Sequence, residues 1–142
     1  MARTLVGALS RSSRDALLAL SCGGVALALY LATLAPSITL ANGAGDSGEL
    51  ASTAYTLGIA HPTGYPLYTL IGFVVTHLVP AEPARSLNVF SALMGALTIG
   101  LLALLATRLA RRAAPDAPWP LAALATVLPL AALALRTRAT IT

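Results

Sequence analysis

The chain has 142 residues, of which 57% are hydrophobic and only 10% charged, with a net charge of +4. A soluble domain carries about 25% charged residues, so this composition excludes that class and points to an integral membrane protein. All nine basic residues are arginines that flank apolar runs, a topology signal rather than a nucleic-acid patch, and the single cysteine, Cys22, excludes an internal disulfide or a Cys-based metal cluster.

Residues 1–15 carry Arg3, Arg11 and Arg14 and are expected in the cytoplasm. Residues 16–36 predict a first transmembrane helix running inside to outside. About 20 residues without a charge are enough to cross a hydrocarbon core of roughly 30 Å. A cleaved signal peptide has an apolar core of only about 7–15 residues. A lipoprotein signal ending at Cys22 would strand Val25–Leu34 after the cleavage point. Pro36 ends the helix.

Residues 37–85 are expected as one external loop. Its centre, NGAGDSGELASTAYTLGIAHPTGYP from Asn42 to Pro66, holds Asp46, Glu49, His61 and five of the eleven glycines. A helix is expected over 46–58, with Asp46 as cap, Leu50, Ala54 and Leu57 on one face, and Gly58 as the stop. Pro62, Gly64 and Pro66 then predict a rigid turn. Gly64 is a candidate for positive φ. Residues 66–79 are apolar at helical spacing through Leu67, Leu70, Ile71, Val74 and Leu78. At 1.5 Å per residue they reach only about 21 Å, which suits an interfacial or re-entrant helix better than a span.

Residues 86–107 predict a second transmembrane helix. Arg108, Arg111 and Arg112 follow it, against Arg85 alone before it, so it runs outside to inside. Residues 108–118 form a cytoplasmic loop. Residues 119–135 predict a third transmembrane helix with Trp119 as interface anchor and Pro129 as a kink. Residues 136–142 are a tail. The fold class is all-α, integral to the membrane and multi-pass, with the N-terminus in the cytoplasm and the bilayer as its first partner.

The loop carries the chemistry. Lipid-linked sugar donors hold their phosphate at headgroup level, and an acceptor hydroxyl must lose a proton as it attacks the sugar carbon. A positioned carboxylate can take that proton. A divalent cation or a basic residue would offset the charge on the departing phosphate. Asp46 and Glu49, three residues apart, share a face at a helix start. His61 can reach a phosphate or the carboxylates after the turn. A capping box formed by Asp46 and Glu49 accounts for both residues without catalysis, and His61 before proline serves equally as a structural hydrogen-bonding residue. His77 reads as an interfacial polar residue, and Tyr65 and Tyr68 as residues of an aromatic belt.

The words AGDSGEL and AHPTGYPLY, with Arg85, Asn88 and SALMGAL after them, closely resemble a bacterial polytopic family long labelled as of unknown function. Its eukaryotic relative is a transmembrane protein O-mannosyltransferase acting on plexin-type receptors. The resemblance runs from about Leu31 to Leu105. It implies a fold similar to the GT-C glycosyltransferases, which use polyprenyl-phosphate sugars and carry a catalytic aspartate in the first external loop. The position it assigns to that aspartate is Asp46. Glu49 falls in the same word as a second catalytic candidate. His61 and Tyr65 fall in the HP-x-GYP word as substrate-binding candidates, with Pro62, Gly64 and Pro66 as its turn.

The implied function is transfer of a sugar from a polyprenyl phosphate to a protein or glycan hydroxyl, outside the plasma (inner) membrane. Such enzymes have roughly ten or more spans, so the chain is expected to be their N-terminal part. The sequence leaves metal dependence open, a divalent cation included. The alternative is a catalytically inactive, truncated membrane protein with a structural or assembly role. A transporter should place carboxylates near the membrane midplane, and the expected spans contain none.

Overall fold

The computed structural model describes residues 2–38 and 45–116, with Pro118 and Val127. Among these residues the chain is helical without strands, in the order α1 (Ala2–Ala32), α2 (Ser47–Thr56), α3 (Pro66–Leu78) and α4 (Pro83–Ala113). The expected third transmembrane helix, 119–135, and the tail, 136–142, lie outside the described residues.

α1 begins well before the apolar run, at Ala2, because nothing in 2–15 breaks a helix. It stops at Ala32, short of Pro36, whose ring disfavours helical backbone in the residue before it. Within α1, Ser12–Ala32 is long and apolar enough to cross a membrane, and so is α4. α4 starts with Glu82 as cap, its carboxylate accepting the Arg85 backbone N–H at 2.8 Å, and with Pro83 in the first turn. It ends in Arg111 and Arg112, which suit the negative end of the helix dipole.

α1 and α4 pack antiparallel through small residues. Ala19, Ala26, Ala92, Ala96 and Ala103 are buried together with Tyr30 and Ile99. Glycines set the distance. A Cβ placed at Gly23 would come 3.1 Å from the Ala96 carbonyl, and one at Gly100 would come 3.1 Å from the Ala19 carbonyl. Close backbone approach through small residues is how helices associate where there is no water to exclude.

Polar contacts fasten both ends of this pair. At one end the buried Asp15 carboxylate pairs with the Arg111 guanidinium. At the other, Asn88 Nδ2 donates to the Ala35 and Ser37 carbonyls at 3.2 and 3.3 Å, holding the exit from α1. A second cluster joins the loop to the first turns of α4. Ala51 and Ala54 of α2 pack on Ala84 and Leu87 of α4, with Tyr68 of α3 against them. Gly72 of α3 lies so close to α2 that a Cβ there would meet the Ala54 Cβ at 2.8 Å.

Candidate functional site

Asp46 and Glu49 reach the site from the first turn of α2. Asp46 is the N-cap residue, and its backbone carbonyl accepts the Leu50 N–H at 2.8 Å. Its side chain makes no capping bond, so the expected capping box is not formed. For Glu49 the reason lies twelve residues on, at His61. The Glu49 carboxylate turns outward to His61, its Oε1 accepting the backbone N–H at 2.7 Å and its Oε2 lying 3.0 Å from Nδ1. A charge-assisted contact with an imidazole and an amide together outcompetes a return to one backbone N–H.

α2 ends with Leu57 in the left-handed region, φ 53°, where Gly58 was the expected stop. Gly58 is needed for space. A Cβ there would stand 3.3 Å from the Thr56 hydroxyl and 3.4 Å from the Thr53 methyl. The chain then turns through His61–Tyr65. The Gly64 N–H donates to the His61 carbonyl at 2.7 Å. Gly64 has φ 83° and Tyr65 φ 44°, two left-handed residues in succession, before Pro66 opens α3. This reversal presents the His61 ring to α2, with Tyr65 edge-on to it at 5.4 Å between ring centres.

The result is a compact three-residue cluster. His61 Nε2 lies 3.7 Å from Asp46 Oδ2, while Nδ1 faces Glu49. The Asp46 side chain is the most open, 65% exposed against 44% for Glu49 and 34% for His61. The hydrogen bond from the His61 ring, then that from its backbone N–H, holds the Glu49 carboxyl below its ordinary pKa. The bond to Glu49 raises the His61 pKa against partial desolvation, and the charges on Asp46 and Glu49 add to the rise.

Such a cluster can hold a proton, accept one, or meet an anion with the imidazolium. It also fits a divalent cation. One ligand atom from each of Asp46, Glu49 and His61 lies within 4.8 Å of the others. Oxygen and nitrogen ligands at about 2.0–2.6 Å from a cation stand at such separations. Bringing Nδ1 to a metal would first require it to leave Glu49.

The remaining sequence candidates sit elsewhere. His77 hydrogen-bonds the Phe73 carbonyl through Nδ1 at 2.8 Å and stacks on Tyr55, with ring centres 5.0 Å apart. Tyr68 packs into the α2–α4 cluster. Sequence reasoning missed the Asp15–Arg111 pair and the anchoring role of Asn88. Each left a trace: opposite charges bordering two apolar runs of opposite direction, and a lone amide at the start of an otherwise apolar run.

Fold and site together define a helical membrane protein that carries a carboxylate–histidine cluster on the loop between two long apolar helices. The family model described as the protein O-mannosyl-transferase TMEM260 N-terminal domain matches residues 46–138, and the chain belongs to that family. The protein O-mannosyl-transferase tmem260 of Dictyostelium discoideum is 35% identical over 72 residues, covering 49% of this chain and 8% of that protein. The mouse protein O-mannosyl-transferase TMEM260 is 46% identical over 59 residues, covering 41% of this chain and again 8% of the relative. The match thus spans a small N-terminal-domain portion of much longer proteins. No solved structure matches the chain.

Proposed function

We propose that the chain is the N-terminal part of a GT-C-type membrane glycosyltransferase. It would move a sugar from a polyprenyl-phosphate donor to a protein or glycan hydroxyl, at the outer face of the plasma membrane, with the N-terminus in the cytoplasm. The observation that carries this reading is the division of labour in the cluster. Glu49 is committed to His61 by two contacts, whereas Asp46 keeps an open carboxylate beside the imidazole. Kinship with proteins named O-mannosyl-transferases supports the reaction class.

The acceptor oxygen forms a bond to the anomeric carbon and gives its proton to Asp46. The bond from that carbon to the phosphate oxygen breaks, and the lipid phosphate leaves with the electron pair. His61, whose pKa the bond to Glu49 raises, would face the departing phosphate, with Tyr65, edge-on to its ring, as a further substrate contact. A divalent cation on Asp46, Glu49 and His61 would supply the same charge neutralisation.

Asp46→Asn tests this. Asn caps a helix about as well as Asp, but its amide accepts no proton at neutral pH. In a full-length protein supplied with a polyprenyl-phosphate mannose and a protein acceptor, transfer should fall by about 10²–10⁴-fold while thermal stability is unchanged. Retained transfer in Asp46→Asn, with loss in Glu49→Gln, would move the base to Glu49. Retained transfer in both would make the loop carboxylates structural and leave a structural or assembly role as the better reading.

A further inference from the structure

The two sides of α4 differ in kind. Its inner side, through Ala92, Ala96, Ala103 and Thr107, is buried. Its outer side is a ridge of leucines: Leu97 is 55% exposed, Leu101 57% and Leu105 54%. At about 100° per residue, Arg108 and Arg112 fall on the line of that ridge and continue it past its last leucine. Both are exposed, and neither has a hydrogen bond or ion pair to any described residue. Arg111, between them in sequence, is held by Asp15.

We infer that this side of α4 binds an anionic phospholipid, with the headgroup phosphate held by Arg108 and Arg112 and an acyl chain laid along Leu105, Leu101 and Leu97. The inference rests on the chain being a membrane protein and not on the transferase reading. Three observations select that occupant. The first is spacing. Residues four apart on a helix stand about 5–6 Å apart at Cβ, and like charges at that spacing destabilise the helix. A phosphate between them removes the conflict, because its oxygens accept from two guanidinium forks at once.

The second is charge. The described side chains at this end of the helix pair include Arg14, Arg108, Arg111 and Arg112, against Asp15 and Asp116. Asp15 is committed to Arg111, and Asp116 makes no ion pair among the described residues. The surplus is positive. A phosphatidylglycerol-type headgroup, with one negative charge and no ammonium, complements it, whereas a choline headgroup brings a cation of its own. The third is depth. Residues 87–107 contain no charged side chain. At 1.5 Å per residue they cover roughly 30 Å, the thickness of a hydrocarbon core. Arg108 and Arg112 therefore stand at the level of lipid phosphates, and the leucine ridge stands at the level of acyl chains. A free phosphate ion would use the arginines alone; a phospholipid uses both.

Native mass spectrometry of the 142-residue chain in detergent micelles tests the site. The chain is given phosphatidylglycerol or phosphatidylcholine with the same acyl chains. One arginine near anionic lipid strengthens binding by about fivefold, so two should favour phosphatidylglycerol by roughly tenfold or more. Arg108→Gln combined with Arg112→Gln should cut that preference to about threefold or less. Arg14→Gln, which removes a like charge from α1, should leave it in place. Neither glutamine breaks a contact within the chain; should the double variant still fail to fold, each single variant is expected to lose about fivefold. Equal retention of both lipids by the wild-type chain would overturn the site. So would a loss in Arg14→Gln as large as that in the double variant, which would mean diffuse charge attraction. Glycerophosphoglycerol, the same headgroup without acyl chains, should not compete at equal concentration. Competition as strong as that of the lipid would leave a site for a free phosphate group and overturn the role of the ridge.

A photoreactive acyl chain locates the ligand. Phosphatidylglycerol carrying it, added to native membranes that hold the chain, should leave adducts on 97–105 in excess over the matching phosphatidylcholine. The double variant should lose that excess. No excess in the wild-type chain would assign this side of α4 to another helix or another protein and overturn the inference.

Discussion

Between α1 and α4 the backbones come close at glycines, with Gly23 beside the Ala96 carbonyl and Gly100 beside that of Ala19. Between α2 and the His61–Tyr65 turn the junction is made by side-chain and amide hydrogen bonds from one histidine to one glutamate. The first region hides its one acid, Asp15, by pairing it with Arg111, while the second leaves three ionisable groups facing solvent. The helix pair thus keeps its one acid buried against a guanidinium, and the loop keeps its charged groups open to solvent. This contrast between a closed helix pair and an open, charged loop can be broken from either side.

The largest effect on stability is expected in the scaffold. Arg111→Leu leaves the Asp15 carboxylate buried without its cation. Removing one partner of a buried pair costs about 3–5 kcal/mol, which thermal unfolding in detergent micelles should register. Asp15→Leu combined with Arg111→Leu should recover most of that loss, because an apolar pair needs no desolvation. A double variant as unstable as the single one would mean that the pair is not what closes this end. Gly100→Leu comes next. It pushes a side chain into the Ala19 carbonyl and should cost about 1–3 kcal/mol or somewhat more, with the Glu49–His61 contacts left intact.

The scaffold was the more legible region. Composition alone selects helices and a membrane, and the arginines on either side of apolar runs frame two long helices. The pairing of Asp15 with Arg111 was hidden because it joins positions 96 residues apart, and only the antiparallel register brings them together. In the loop, Pro62, Gly64 and Pro66 make a reversal legible, and with it the return of His61 towards the carboxylates. What could not be read was the choice made by Glu49. From sequence a glutamate three residues after a cap has a local partner, and the non-local one wins only because the turn delivers an amide and an imidazole together. The left-handed Leu57 was hidden for a similar reason. A following glycine is the usual occupant of that conformation, and here packing against Thr53 and Thr56 claims the glycine instead.

Gly64→Val sharpens the comparison from the loop side. At φ 83° a β-branched residue is strained, by about 1–3 kcal/mol. The cost should stay within the loop, seen as faster proteolysis between α2 and α3, while the α1·α4 pair keeps its melting temperature. A global loss of stability in this variant would show that the turn and the helix pair fold as one unit, and the division drawn above would fail.

The smallest expected effect is on pH dependence, and it isolates the Glu49–His61 contact. The Glu49 pKa is lowered from an ordinary 4.5, so its contribution is present above that value and is lost as pH falls through the lowered one. The His61 pKa is raised from an ordinary 6.5, so its contribution is complete below that value and is lost as pH rises through the raised one. The contact is therefore strongest from about pH 4.5 to 6.5 and fades on the alkaline side as the imidazolium deprotonates. Both side chains are partly open to water, which screens the pair, so the effect on global stability should be slight. The sensitive readout is the nitrogen chemical shift of the His61 ring. Its titration midpoint should sit above 6.5 in the wild-type chain and move down in Glu49→Gln, which keeps the shape and removes the charge. Asp46→Asn should move it down less, because Asp46 acts across 3.7 Å without a hydrogen bond. If instead Asp46→Asn moves the midpoint more than Glu49→Gln does, the imidazole belongs to Asp46, and the open carboxylate beside it is Glu49.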